Sequence, residues 1–364
     1  MRETKDQKPV RIAVVGLGHG GEHLEHYRGR RDVEVAGLCD RSATLLQEAG
    51  RRYQTPPEAL FTDYGRMLAT VSPDAVFVMT PPALHAAMTI EALAAGCHVF
   101  VAKSLCRSVP EGEAMLQARQ RAGRRVEVGF QMHYAPVYQY VREHLADPEV
   151  GELRGAWVQK YYPSYWREPG HWQNRIETMG GALLDCCIHE MDILLYLLQR
   201  PWRRVFVSGR QFLGGPPERD TPDAAVVLMD MRDGLRITLD FLDSHAYCYV
   251  RTGIVGAEGK FEIEHWEPQG AGHVRFHANS RSANPKHIYT PPPGASTGHI
   301  GIREQSLHFL DVCRAAAPSH STLESALESL SLQIAVAKAL REERWVERRE
   351  ITSREDFQDK GMIV

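Results

Sequence analysis

The glycine-rich turn Gly16-Leu17-Gly18-His19-Gly20-Gly21 follows directly on the apolar run Arg-Ile-Ala-Val-Val of residues 11–15. Few patterns restrict a chain more. A short β-branched run reads as a buried strand, and G-x-G-x-x-G after it forces a tight turn into a helix. Gly16 is expected to make the turn, Gly18 to let the backbone approach a ligand closely, and Gly21 to let the helix pack tightly on the sheet. A helix N-terminus then presents amides and a positive dipole end, which suit a phosphate. Asp40 stands about 20 residues further on, after the run Val-Glu-Val-Ala-Gly-Leu-Cys of residues 33–39, where a carboxylate can accept from ribose hydroxyls. Strand, glycine turn, helix and acid together point to a dinucleotide.

The rest of the first third agrees. Apolar runs at residues 75–79, 98–102 and 125–130 alternate with helical patterns at 43–52, 84–95 and 110–122, as βαβ units do. This predicts a Rossmann domain, a doubly wound parallel sheet, over residues 9–131. Asp40 favours NAD, because its charge opposes a 2′-phosphate, while Arg41 beside it leaves NADP open. His19 lies within the glycine turn itself. Thr80-Pro81-Pro82-Ala83-Leu84-His85 follows another strand at the carboxyl edge of the sheet, and Thr80, Pro81 and His85 are candidate cofactor contacts. Lys103 ends a strand at that same edge.

After residue 131 the pattern changes. Helices are expected at 136–146, 181–198, 301–316 and 323–342. Strands are expected at 153–162, 205–212, 224–231, 235–243, 248–255, 260–264 and 274–277, with turn signals at 232–234 and 256–259. Residues 132–364 therefore read as an α+β domain with a large, mostly antiparallel sheet. Within the apolar stretch Leu-Leu-Asp-Cys-Cys-Ile-His-Glu-Met-Asp, Asp185 and His189 stand four apart and would share a face of an α-helix. Burying a carboxylate and an imidazole together is costly unless they have a use or a partner. A metal site on this pair lacks an identifiable third ligand, so no metal is expected.

Residues 163–175 form an aromatic and polar loop. Aromatic rings suit the C–H faces of a sugar, and Arg, His, Gln and Asn suit its hydroxyls. Lys160, Tyr162 and Trp172 are candidate substrate contacts. Arg167 and Arg175 are suited to an anionic substituent, or else to pairing with Glu168 and Glu177.

Over nearly its whole length the chain resembles the oxidoreductase family of glucose-fructose oxidoreductase, inositol dehydrogenase and a rhizopine catabolism protein (Gfo/Idh/MocA). The resemblance lies in the glycine turn, Asp40, the Thr80–His85 loop, residues 96–105, residues 128–138, the stretch 180–192 and the turn 256–259. It implies an NAD(P)-dependent dehydrogenase or reductase acting on a sugar, sugar derivative or cyclitol, with an open-faced C-terminal sheet often used in oligomers. It also implies roles: Lys103 binds the reacting hydroxyl, His189 is the general base, and Asp185 orients substrate and histidine. Ala102-Lys103-Ser104 departs from the family's Glu-Lys-Pro. That departure keeps an NAD-dependent glycosidase open as a rival, alongside a non-catalytic dinucleotide sensor.

Composition narrows the partners. A formal charge of −3 gives no footprint for nucleic acid, and the Arg-rich stretches at 28–31 and 341–349 suit solvated surface. The polar opening residues and seven cysteines without a C-x-x-C pair predict a cytoplasmic protein with no membrane contact. A large antiparallel sheet with one face to cover predicts a homodimer or homotetramer.

Overall fold

The computed structural model describes residues 8–163, 168–243, 248–267, 270, 272–279, 284–295 and 300–351. They fall into two units. The first holds the chain up to Cys106, Pro110–Gly129 and Arg303–Leu327; the second holds Arg107–Val109, Phe130–Ile302 and the chain from Glu328 on.

The first unit is a six-stranded parallel sheet: β1 (Val10–Val15), β2 (Val33–Cys39), β3 (Leu60–Phe61), β4 (Ala75–Val78), β5 (His98–Val101) and β6 (Val126–Val128). Its helices are α1 (Leu17–Glu25), α2 (Ala43–Tyr53), α3 (Tyr64–Val71), α4 (Pro82–Ala94) and α5 (Val109–Ala122). Strands buried on both faces read as unbroken apolar runs, and all four residues of β4 are inaccessible to solvent. Ser42 and Asp63 cap α2 and α3 by accepting from backbone amides of the first turn, and Pro82 opens α4. The order β3-β2-β1-β4-β5-β6 reverses between β1 and β4. The turn after β1 and the loop after β4 therefore flank the crevice where ligands of such sheets bind. The two-residue β3 and the helix α3 escape the sequence pattern, β3 because it is too short to show a period.

Residues 303–327 belong to the first unit, where the sequence pattern assigns everything after 131 to the second. The reason is aromatic packing. Phe309 sets its ring edge-on to Phe77 at 5.2 Å and Phe100 at 5.5 Å, within the cluster that contains Ile12, Val14 and Leu38.

The second unit contains α6 (Pro136–His144), β7 (Leu153–Tyr162), a π-helical turn at Ala182–Cys186, α7 (Ile188–Leu198), β8 (Trp202–Arg210), β9 (Ala224–Met231), β10 (Arg236–Asp243), β11 (Cys248–Gly256), β12 (Gly259–Glu267), β13 (His273–Ala278), β14 (His287–Tyr289) and β15 (Val346–Glu347). Helices α8 (Ile302–Cys313) and α9 (Leu323–Glu342) follow in the last part of the described chain. The sheet runs β14-β13-β12-β11-β7-β10-β9-β8-β15 and is antiparallel except for the central pair β7 and β10. Alternation places Ala156, Val158 and Lys160 on the buried face and Trp157, Gln159 and Tyr161 on the more exposed one. On that exposed face ion pairs cross between strands, Arg251 with Glu262 and Arg275 with Glu264, and the Trp157 indole lies against Gly253. Among the described residues no helix is long and apolar enough to cross a membrane.

Candidate active site

Gly16 has a φ of +88°, and a Cβ there would stand 2.4 Å from the Met79 carbonyl oxygen. Only glycine fits. At Gly18 no atom lies within 4 Å of where a side chain would begin, so the backbone is open to close approach. The tight packing of helix on sheet belongs to Gly20, not Gly21 as the pattern suggests: a Cβ on Gly20 would meet Val14 Cγ1 at 2.7 Å, whereas Gly21 has its nearest neighbour, the Tyr53 hydroxyl, at 3.6 Å. The first turn of α1 carries no acidic residue to compete with a phosphate.

Asp40 is held by two backbone amides, Leu17 N–H donating to Oδ2 and Ser42 N–H to Oδ1, both at 2.8 Å. A carboxylate accepts about four hydrogen bonds, so each oxygen keeps capacity for a ribose hydroxyl. Arg41 is exposed beside it. The His19 side chain, 79% exposed, lies 3.5 Å from Glu22. These residues fit a dinucleotide.

His85 corrects the sequence reading. It is fully buried, with Nε2 2.6 Å from the Thr80 carbonyl and Nδ1 2.8 Å from the Ser104 carbonyl. Burial holds its pKa below the usual histidine value, partly offset by those two carbonyls. His85 ties the loop after β4 to the loop after β5 and does not face a ligand. Thr80 and Pro81 lie half-buried at the start of α4, with the Thr80 hydroxyl 3.7 Å from Met88 Sδ. Lys103 is half-buried after β5, and its peptide bond to Ser104 is cis.

In the second unit, Asp185 and His189 do not share one continuous α-helix. Cys187 N–H donates to the Ala182 carbonyl at 2.9 Å, an i to i+5 bond, and α7 begins only at Ile188. Asp185 therefore sits in a widened turn and His189 in the first turn of α7. Asp185 is buried, and Gln173 Nε2 donates to its Oδ2 at 2.9 Å. The Gln173 carbonyl also accepts from Gly181 N–H at 2.7 Å. Gly180 is needed here, since a Cβ would come within 2.6 Å of the Trp172 carbonyl oxygen. Gln173 thus straps the aromatic loop to the turn that carries Asp185. His189 is half-buried and meets the Phe130 ring edge-on at 6.1 Å.

Lys160 is a second correction. It points to the buried face of β7, only 3% exposed, and its Nζ donates to Glu190 Oε2 at 2.8 Å and to the Cys186 carbonyl at 3.1 Å. It is a structural cation and not a surface for substrate. Tyr162 is half-buried, with that ammonium 5.4 Å from its ring centre. Trp172 is half-buried in a short 3₁₀ turn beside His171. Arg175 takes the pairing alternative, 3.4 Å from Glu177. Arg167, with Ser164, Tyr165 and Trp166, lies outside the described residues. Gln173 and Glu190 were missed by sequence reasoning; the signal for Glu190 was an acid inside an apolar helix, which needs a buried partner.

Residues 10–130 match the family described as oxidoreductase family, NAD-binding Rossmann fold, and residues 138–262 match the GFO/IDH/MocA C-terminal domain. The chain belongs to the Gfo/Idh/MocA oxidoreductase family. Its cofactor is the family's NAD. Similar proteins include the D-glucoside 3-dehydrogenase of Escherichia coli strain K12, 27% identical over 203 residues that make up 55% of this chain and 57% of that enzyme. The scyllo-inositol 2-dehydrogenase (NAD(+)) of Bacillus subtilis strain 168 is 28% identical over 265 residues, 70% of this chain and 73% of that one. Among solved structures, an oxidoreductase domain protein from Kribbella flavida superposes with a TM-score of 0.81, 22% identity and coverage of 94% of this chain and 99% of that one. That last likeness is one of fold.

Proposed function

We propose that this Gfo/Idh/MocA protein is an NAD-dependent dehydrogenase or reductase of a secondary alcohol or ketone on a sugar, sugar derivative or cyclitol. The observation that carries the reading is the buried Asp185, oriented by Gln173, just ahead of a half-buried His189 in a chain with an NAD cradle. Bound NAD supplies the hydride acceptor. His189 takes the hydroxyl proton. It stands in the first turn of α7, directly after the widened turn that carries Asp185. Asp185 supports the charge as the proton arrives, and Lys103 supplies positive charge to the developing alkoxide. Tyr162 and Trp172 offer aromatic faces to the sugar ring. The names of the glucoside and inositol dehydrogenases it resembles support the substrate class.

Incubation with NAD and a panel of sugars and cyclitols is expected to give NADH in step with oxidised product. Release of free sugar from a glycoside without net NADH would instead establish the glycosidase reading, for which Ala102-Lys103-Ser104 is the sequence argument.

The Asp40 carboxylate opposes a 2′-phosphate, so NADH is expected to bind more tightly than NADPH in a fluorescence titration. Tighter NADPH binding that Arg41→Ala leaves unweakened would overturn this. The same reading includes a homodimer or homotetramer built on the exposed face around Trp157, Arg251 and Glu262; a monomer by light scattering at micromolar concentration contradicts it. Seven cysteines without a C-x-x-C pair support a reducing, cytoplasmic setting.

A further inference from the structure

We propose that Lys160, Glu190 and Gln333 are positioning residues that hold the widened turn at Ala182–Cys186 and thereby set Asp185 against His189. The proposal rests on the catalytic reading of that pair.

An ordinary α-turn closes from i to i+4, and the extra residue here redirects carbonyls that would otherwise point along the helix. Two of them are taken by side chains. The Leu184 carbonyl accepts from Gln333 Nε2 at 2.9 Å, and the Cys186 carbonyl accepts from Lys160 Nζ at 3.1 Å. Lys160 reaches in the same stroke to Glu190 Oε2, on α7 directly after His189. The brace thus grips the chain on both sides of the histidine, at Cys186 and at Glu190. All three side chains are buried.

Stability alone is a poor reason for such a pair. Replacing a buried ion pair by apolar groups is often neutral or stabilising. What apolar groups cannot do is donate to the Cys186 carbonyl. Without either donor, the segment is free to return to the i to i+4 pattern, which turns Asp185 by roughly a quarter turn about the axis relative to His189. π-helical turns of this kind recur at functional sites.

The test uses the full-length protein and two variants. Lys160→Met/Glu190→Leu removes both charges together, so that no lone ion is left buried, and Gln333→Leu removes the other support with no change of charge. Each is expected to bind NAD and unfold near the wild-type midpoint, yet to lose about 10²-fold in kcat, the scale of a misplacement of about 1 Å. The acidic limb of the kcat/KM profile, which reports His189, should move down by about one pH unit as the carboxylate's support is lost. NMR titration of the His189 ring without substrate should show the same shift. Wild-type kcat with an unmoved limb overturns the proposal, and so does activity that falls only with the folded fraction while the limb stays put. His189→Ala is measured alongside. If it is inactive while the brace variants behave as wild type, the brace alone is wrong; if it turns over at the wild-type rate, the catalytic reading fails and takes the brace with it.

Discussion

His189→Ala is expected to lower turnover by about 10²- to 10⁴-fold while the affinity for NAD is unchanged. Oxidation of a secondary alcohol leaves a proton that must be taken as the hydride departs, and an imidazole titrates near the working pH. Alanine at 189 removes the acceptor but leaves Asp185 bound to Gln173 and leaves the proposed NAD cradle at Gly16, Gly18 and Asp40 intact, because those residues all lie within the first unit. Nucleotide titration should therefore match the wild type when kcat has collapsed. Lys103→Met should also slow the reaction, by a smaller factor, since Ala102 and Ser104 stand where the family has Glu and Pro. A folded His189→Ala protein that binds NAD and turns over its true substrate at the wild-type rate would refute the acid-base role.

Asp192→Ala is expected to cost about 3–5 kcal/mol of stability, the scale for removing one partner of a buried pair. Asp192 lies on α7 three residues after His189. Its Oδ2 accepts from His133 Nε2 at 2.6 Å, and its Oδ1 accepts from the Ser329 hydroxyl at 2.6 Å. Since a carboxylate only accepts, the ring proton sits on Nε2. The His133 ring stacks on Tyr196 at 4.1 Å, which leaves it little freedom to find another partner. Truncation leaves an imidazole and a hydroxyl facing a cavity that alanine cannot fill. Asp192→Asn, which keeps the size and one acceptor, should cost less. Urea unfolding followed by tryptophan fluorescence measures both; an Asp192→Ala protein within about 1 kcal/mol of wild type would show that the pair contributes little.

The parts of the site that depend on neighbours in sequence were legible, and those that depend on neighbours in space were not. The tight turn at Gly16 and the carboxylate of Asp40 beside the start of α1 could be anticipated because turn, helix start and acid recur at fixed offsets in a βαβ unit. The division of labour between Gly20 and Gly21 could not, because it depends on which one faces Val14. Lys160 beside an aromatic loop looks like a ligand for a sugar. Its true partner is 30 residues away on α7, and the parity of Ala156, Val158 and Lys160 was the clue that it points inward. Asp-x-x-x-His reads as one α-helical face, and an i to i+5 turn leaves no mark on the pattern of apolar residues. His85 lies in the first turn of α4 at the carboxyl edge, where ligands bind, yet its ring lies between two carbonyls that only the folded sheet brings together. The parallel sheet was readable almost strand by strand, since burial on both faces writes itself as apolar runs.

Phe309 delays completion of the first unit until well into synthesis of the second. The six strands of the first sheet leave the ribosome early, but the ring that packs edge-on against Phe77 and Phe100 arrives only after residues 130–302 of the second unit have been made. Until then, that stack of phenylalanines is unfinished and open to any apolar surface nearby. A fragment cut at Gly129 would carry the glycine turn and Asp40 and still lack part of its own interior. The half that begins the chain can be isolated intact only as two segments, with residues 303–327 spliced back on.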